Sequence, residues 1–365
     1  SHKNMKKMLM AAGMAAVMTA CGTAGQKAAT DAGNPFLAEY STPFGVPPFD
    51  LIKVEHYKEA FLKGMEEQKK EIDAIVNQRS VPDFDNTIAA FDQSGELLNK
   101  VSTVFSGLNS CNTNDEMQAF NKEITPLLSA HRDDISLNPA LFARVKEVYE
   151  RREKLGLDKE QNKLLEETYK KFVRGGANLD SVDQAKLRQL NSEISMLQLT
   201  FGQNLLKETN AFELVIDKKE DLAGLPESLV ASAAEAAKGA GMEEKWLFTL
   251  HNPSVMPFLQ YADNRELREK IFKGYINRGN NGNEADNNEI VKKLVALRLE
   301  KAKLMGYADY ASYILEDRMA KNEENVYRLL NQIWTPAVAK AKEELSDIQS
   351  EIKKEGANFT PDRKS

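Results

Sequence analysis

Apolar residues recur every three to four positions along most of this chain, and the pattern predicts a succession of helices. Candidates run over 54–77, 84–108, 114–132, 139–155, 158–174 and 181–210, separated by short breaks such as Asn138-Pro139 and Gly175-Gly176. In the 181–210 segment Leu187, Leu190, Ile194, Leu197 and Phe201 step by three and four. They share one face of a bundle helix roughly 45 Å long at 1.5 Å per residue. The helical pattern resumes over 254–262, 264–277, 284–305 and 308–315, and a last long segment covers 322–356. There Val326, Leu330, Ile333, Val338, Ala341, Leu345, Ile348 and Ile352 keep helical spacing, and Pro336 must kink the helix or open one of its hydrogen bonds.

Two short runs break this period. Residues 212–216 and 246–250 are rich in β-branched and aromatic side chains and are bounded by turn or charge clusters, so they are expected to pair as a small sheet. The Ala-rich stretch between them, opened by Gly224-Leu225-Pro226-Glu227-Ser228 and closed by Gly239, predicts one more amphipathic helix. Residues 35–48, punctuated by proline, read as an extended entry segment laying Phe36, Phe44 and Phe49 on a surface. The fold class is therefore mostly α with a two-stranded β insert.

Composition narrows the function classes. The chain has 365 residues, 42% of them hydrophobic and 28% charged, which is ordinary for a soluble globular protein long enough to bury a core. A net charge of -6, with both signs interleaved and no basic stripe, argues against nucleic acid as a partner. The two cysteines, Cys21 and Cys111, show no C-x-x-C spacing, so neither a disulfide framework nor a thiolate metal site is indicated; Cys111 reads as an inert structural thiol. Nucleophile elbows, phosphate loops and dinucleotide fingerprints are absent.

The first residues read as a targeting segment, with Ser1-His2 set aside because no initiating Met precedes them. Lys3, Lys6 and Lys7 precede an uncharged apolar run over 8–17, too short to span a bilayer as a mature helix. The run ends in Met18-Thr19-Ala20-Cys21-Gly22, which resembles a bacterial lipobox. The expectation is a signal peptide over 1–21, lipidation at Cys21, a flexible tether over 22–33 and a membrane-anchored lipoprotein facing the periplasm. Ordinary secretion with an incidental cysteine is the alternative.

A set of longer strings carries a family resemblance. Asn252-Pro253-Ser254-Val255-Met256-Pro257-Phe258, Tyr261-Ala262-Asp263-Asn264-Arg265-Glu266-Leu267-Arg268, Asn280-Asn281-Gly282-Asn283-Glu284 and Leu315-Glu316-Asp317-Arg318-Met319-Ala320 closely resemble the peptidyl-dipeptidase branch of the thimet oligopeptidase family. Pro47-Pro48-Phe49-Asp50, Ser94-Gly95-Glu96-Leu97-Leu98 and Leu137-Asn138-Pro139-Ala140-Leu141-Phe142 extend the likeness over roughly 34–358. The resemblance implies a zinc peptidase of two mainly helical halves facing across a channel that admits short peptides, with a periplasm-facing member releasing dipeptides from their C-termini. It implies that zinc is held in the second half by H-E-x-x-H, in which two His one turn apart face the metal and the Glu polarises a water.

No H-E-x-x-H occurs in these 365 residues. The chain is accordingly read as the N-terminal helical half, 34–245, followed by the beginning of the peptidase domain, 246–359, which stops before the zinc site. The polar residues 360–365 are read as an aberrant tail. Zinc is the cofactor expected of the full-length family member and none is expected on this chain. Its partners would be short peptides and a C-terminal catalytic half, with the isolated chain inactive. The rival reading is a non-catalytic helical lipoprotein that binds peptides or a partner chain.

His56, His131 and His251 are isolated, and none shares a helical face with a second His at ligand spacing. His251, which closes an apolar strand, and the loop carrying Arg278 and Asn281 are the candidate cleft-lining residues. A surface His, and a helix end followed by a new helix start at Glu284, are the bland readings. Glu316-Asp317-Arg318 reads either as a buried ion pair fixing the hinge between halves or as a solvated cluster.

Overall fold

A computed structural model describes residues 33–361. Residues 1–32 and 362–365, which carry Cys21, its preceding apolar run and most of the polar tail, lie outside them. The described residues divide between two units, one up to residue 52 and one from residue 53 onward. In the first, the described stretch is not extended as expected but forms two tight turns, Pro35–Leu37 and Pro43–Gly45. Each begins at a proline whose fixed φ suits a first helical position. The first turn is capped by the Asn34 side chain, which accepts from the Phe36 amide. Phe36 is buried, whereas Phe44 is fully exposed and Phe49 half-exposed, so the three rings do not share one environment.

The second unit begins with α1 (Val54–Asn77). Tyr57, Ala60, Phe61, Gly64, Met65, Ile72 and Ile75 form its buried stripe, at the three-to-four spacing that a one-sided helix requires. The helix expected over 84–108 is broken into a π turn (Phe84–Ala89), a single turn α2 (Ala90–Asp92) and α3 (Glu96–Cys111). Gly95 makes the break. Its φ of 78° is left-handed, and its amide donates to Glu71 Oε2 at 2.7 Å. Cys111 is exposed at the end of α3, which corrects its reading as a structural thiol.

Next come α4 (Asp115–Ser136), α5 (Pro139–Glu150), α6 (Lys159–Arg174) and the long α7 (Ser181–Ala211). Each starts at an Asn or Asp whose side chain accepts a first-turn amide, which is the N-cap chemistry that stops a helix from fraying backward. Then β1 (Leu214–Ile216), α8 (Glu227–Gly239) and β2 (Trp246–Phe248) form the insert. The strands are antiparallel, with Leu214 opposite Phe248 and Ile216 opposite Trp246. α9 (Asn252–Tyr261), α10 (Arg265–Ile276), α11 (Asn288–Leu304), α12 (Tyr310–Leu315) and α13 (Glu323–Lys354) complete the unit, the last running through Pro336.

Three apolar clusters hold these elements. Tyr57, Phe61, Phe105 and Phe120 join α1, α3 and α4, with ring centroids 5.0–6.1 Å apart. Such aromatic pairs contribute about 0.5–1.5 kcal/mol each beyond area burial. A second cluster packs Ile72, Ile75 and Ile88 on Leu141, Val145, Val148, Leu165 and Phe172 of α5 and α6. The third surrounds the sheet, where Leu214, Ile216, Phe248, Val255, Phe258 and Ile271 gather the strands, α9 and α10. α7 packs on α4 on one side and α11 on the other, so it links the first bundle to the later helices.

Candidate functional site

The C-terminal end of α7 gathers the three candidate residues, although they lie up to 30 positions apart in sequence. His251 bonds Asn210 Oδ1 through Nε2 at 3.1 Å and Thr249 Oγ1 through Nδ1 at 2.9 Å. Arg278 donates from Nη1 to Thr209 Oγ1 at 3.0 Å and from Nε to the Tyr275 carbonyl at 3.0 Å, with its guanidinium over the Tyr275 ring. Asn281 donates to Glu208 Oε2 and to the Asn277 carbonyl. Three consecutive residues, Glu208, Thr209 and Asn210, thus receive one candidate each.

Glu208 is the anchor. Beside Asn281 it accepts from the Gly279 amide at 3.1 Å and from Asn283 Nδ2. The Asn283 bond is the largest cause holding its carboxyl below the usual glutamate range, against a desolvation that raises it. Asn287 locks the same loop from beneath. It is buried, donates from its amide to the Gly279 carbonyl at 2.7 Å and from Nδ2 to the Phe201 carbonyl, and accepts from Asn204. Gly279 sits at φ 73°, where an added Cβ would stand 2.9 Å from Asn287 Nδ2, so the position demands glycine.

The expected helix start at Glu284 is therefore delayed to Asn288. Asp286 accepts from the Gly282 and Asn288 amides, which keeps 282–287 in turns. Asp286 and Glu208 were not apparent as loop anchors in the sequence; the polar triplet Glu208-Thr209-Asn210 ending an otherwise apolar-faced helix was the available signal.

A groove of about 440 Å3 runs beside this end of α7, between α8, β2 and α9. His251 lines it together with Leu229, Ala233, Leu247, Ser254 and Pro257. Arg278 and Asn281 do not line it. The arrangement offers hydrogen-bonding side chains and a cation beside an apolar groove, with the Thr249 hydroxyl against His251 Nδ1 in its lining.

The other histidines lie apart. His56 caps α1, with Nδ1 accepting from the Lys53 amide at 3.0 Å. His131 is buried in α4. Glu316 pairs with Arg174 and Asp317 with Lys170 at 2.7 Å, and Tyr313 OH donates to the Arg174 carbonyl at 2.8 Å. These contacts tie α12 to α6 through half-exposed ion pairs rather than a buried one. Among the described residues no three His, Cys, Asp or Glu side chains converge as a metal-ligand set, so none is assigned to a zinc ion. No helix among them is long and apolar enough to cross a membrane.

Residues 258–362 match Peptidase family M3. The dipeptidyl carboxypeptidase of Escherichia coli (strain K12) is 39% identical over 327 residues, 90% of this chain and 48% of that protein. The dipeptidyl carboxypeptidase of Salmonella typhimurium is 38% identical over the same shares. Oligopeptidase A of Haemophilus influenzae is 29% identical over 85% of this chain and 46% of its own length. The chain spans about half the length of the curated relatives it matches. With the helical architecture and the Asn-rich loop already in place, these likenesses settle the family: the chain belongs to peptidase family M3, on the dipeptidyl carboxypeptidase side of it.

Proposed function

We propose that this chain is the N-terminal portion of a zinc peptidase that releases C-terminal dipeptides from short peptides. In this reading His251, Arg278 and Asn281, pinned to the end of α7, present their polar groups toward the peptide. The 39% identity to a dipeptidyl carboxypeptidase across 90% of the chain carries the reading. Zinc, once held by a catalytic portion beyond these residues, would activate water and polarise the scissile carbonyl. The residues here would bind and orient the peptide and exclude bulk water from it.

The outer face of α13 supports the same reading. Tyr327, Leu330, Ile333, Trp334, Leu345 and Ile348 are all exposed on it. Contiguous apolar surface of this kind marks an interaction site more often than a solvent face. The proposed occupant is the catalytic portion, whose counterpart makes up the unmatched half of the curated relatives.

Mixing this chain with the separately produced C-terminal half of the Escherichia coli relative tests the proposal. Zinc-dependent release of dipeptides from a short peptide is expected for the mixture and not for either part alone. Hydrolysis by the chelator-treated chain by itself, or a stable complex without hydrolysis, would overturn it.

A further inference from the structure

The groove between α8, β2 and α9 holds side chains whose chemistry peptide binding does not use. Thr249, His251 and Ser254 all line it. Leu229, Ala233, Leu247 and Pro257 form its apolar wall, and its volume of about 440 Å3 lies in the range of small-molecule sites.

Hydrogen-bond polarity fixes where the protons sit. Asn210 Oδ1 can only accept, so His251 Nε2 donates to it at 3.1 Å. In the neutral ring Nδ1 is then a bare acceptor, and the Thr249 hydroxyl donates to it at 2.9 Å. The His251 amide faces one Thr249 Oγ1 lone pair at 3.4 Å, and the second lone pair is left for attack. A hydroxyl on an imidazole whose far nitrogen is held by a third group is the arrangement of a nucleophile, its base and its orienter. Ser254 adds a donor. Its Oγ accepts from the Thr249 amide at 2.9 Å, which leaves its own O–H to donate to a developing oxyanion.

The group is both reachable and firmly held. His251 and Asn210 are exposed and Thr249 is partly so. Thr249 follows β2 directly and stands between Phe248 and Leu250, both buried in the core around the sheet, so its backbone is fixed.

We propose that Thr249 is the nucleophile of an esterase site for short-chain acyl esters, with the acyl chain on the Leu229, Ala233 and Leu247 wall. Thr249 Oγ1 bonds to the ester carbonyl carbon and gives its proton to His251 Nδ1. The ester C–O bond breaks, and the leaving alkoxide takes that proton from His251. Water then attacks the acyl-threonine. One water proton passes through His251 Nδ1 to Thr249 Oγ1 as the free acid leaves. Asn210 is a positioning residue that holds the ring with Nδ1 toward Thr249. A peptide amine is a far poorer leaving group than an alcohol or a phenol, so the site is separate from dipeptide release and does not draw on zinc.

Incubating the full chain with p-nitrophenyl butyrate in the presence of chelator tests this. The expected result is a burst of nitrophenolate and a butyryl group located on Thr249 by peptide mass spectrometry after acid quench. Rates are compared in Cys111→Ser, which removes the exposed thiol as a competing acyl acceptor. On that background Thr249→Val is expected to slow the burst by about tenfold or more, and Thr249→Ser to keep it. Asn210→Leu is expected to slow it about tenfold, and Asn210→Asp, which keeps the acceptor, to restore it. Butyrate should exceed acetate in kcat/KM by about fourfold for each of its two extra CH2 groups. If Thr249→Val does not fold, the position of the butyryl group in the unmodified chain decides. No butyryl group on Thr249, an unchanged burst in a folded Thr249→Val, or equal kcat/KM for acetate and butyrate would each overturn the proposal. None of these results bears on dipeptide release, which the mixing experiment tests separately.

Discussion

Glu208 shows how a single carboxylate organises a loop that is otherwise rich in glycine and asparagine. Its two oxygens collect the Asn283, Gly279 and Asn281 donors, and its pKa is lowered chiefly by the Asn283 bond. A group whose folded pKa lies below its unfolded one contributes stability that is fully present above the unfolded value. That contribution is lost as pH falls below about 4.3, the ordinary glutamate value, and through the folded one. Hydrogen-exchange protection of the Gly279 amide is thus expected to hold from pH 7 to about pH 5 and to drop below the ordinary glutamate value. Glu208→Gln should lower the protection at neutral pH and flatten its pH dependence, because an amide offers one acceptor oxygen to three donors. An unchanged profile in the variant would separate the loop from this carboxylate. Arg278 and Asn281 were legible as loop residues from the turn composition around them. Their anchors were not, since Glu208 lies some 70 positions earlier and only folding brings it near.

At the scale of elements, α13 is the least supported helix of the second unit. Ile352 is the buried residue of its 32, and Tyr327, Leu329, Leu330, Ile333, Trp334, Leu345 and Ile348 on it are exposed. Its helical period was plain in the sequence. Periodicity reports that a face is apolar and does not report what covers it. Replacing Ile333 and Trp334 together by Ser should change the unfolding free energy by less than about 0.5 kcal/mol, because neither side chain is packed in the second unit. The same change should reduce concentration-dependent association, measured by analytical ultracentrifugation, and abolish complementation by the catalytic half. A large loss of stability would show that this face is already covered.

At the scale of the whole unit, a polar tie crosses the two junctions that α7 makes. Asn191 on α7 donates to Asp133 Oδ1 of α4 at 2.8 Å and accepts from Lys301 Nζ of α11 at 2.7 Å. Burial raises the Asp133 pKa and lowers that of Lys301, each partly offset by opposite charge nearby and, at Asp133, by the Asn191 bond. Asn191 therefore serves two desolvated ions at once. Asn191→Ala should cost about 2–3 kcal/mol, since it leaves both without their neutral bridge. Chemical denaturation gives the measurement, and a loss below about 0.5 kcal/mol, the range of an ordinary surface change, would show that water replaces the bridge.

The sequence by itself determined the mostly helical class, most helix positions and the pairing of the two short strands. These depend on local periodicity and capping, as at α1, whose bounds match the expected 54–77, and at Asp158 and Asp180, whose side chains cap α6 and α7. It also carried the family, because long strings such as 252–258 need no folding to be compared. Tertiary structure alone decided that 84–108 is three elements rather than one, that Phe44 is exposed while Phe36 is buried, and that α11 starts at Asn288. It alone brought His251, Arg278 and Asn281 to one helix end and left His131 Nδ1 buried without a hydrogen-bond partner. Each of those outcomes turns on a hydrogen bond or a steric contact between residues distant in sequence, and periodicity along a chain carries no information about such pairs.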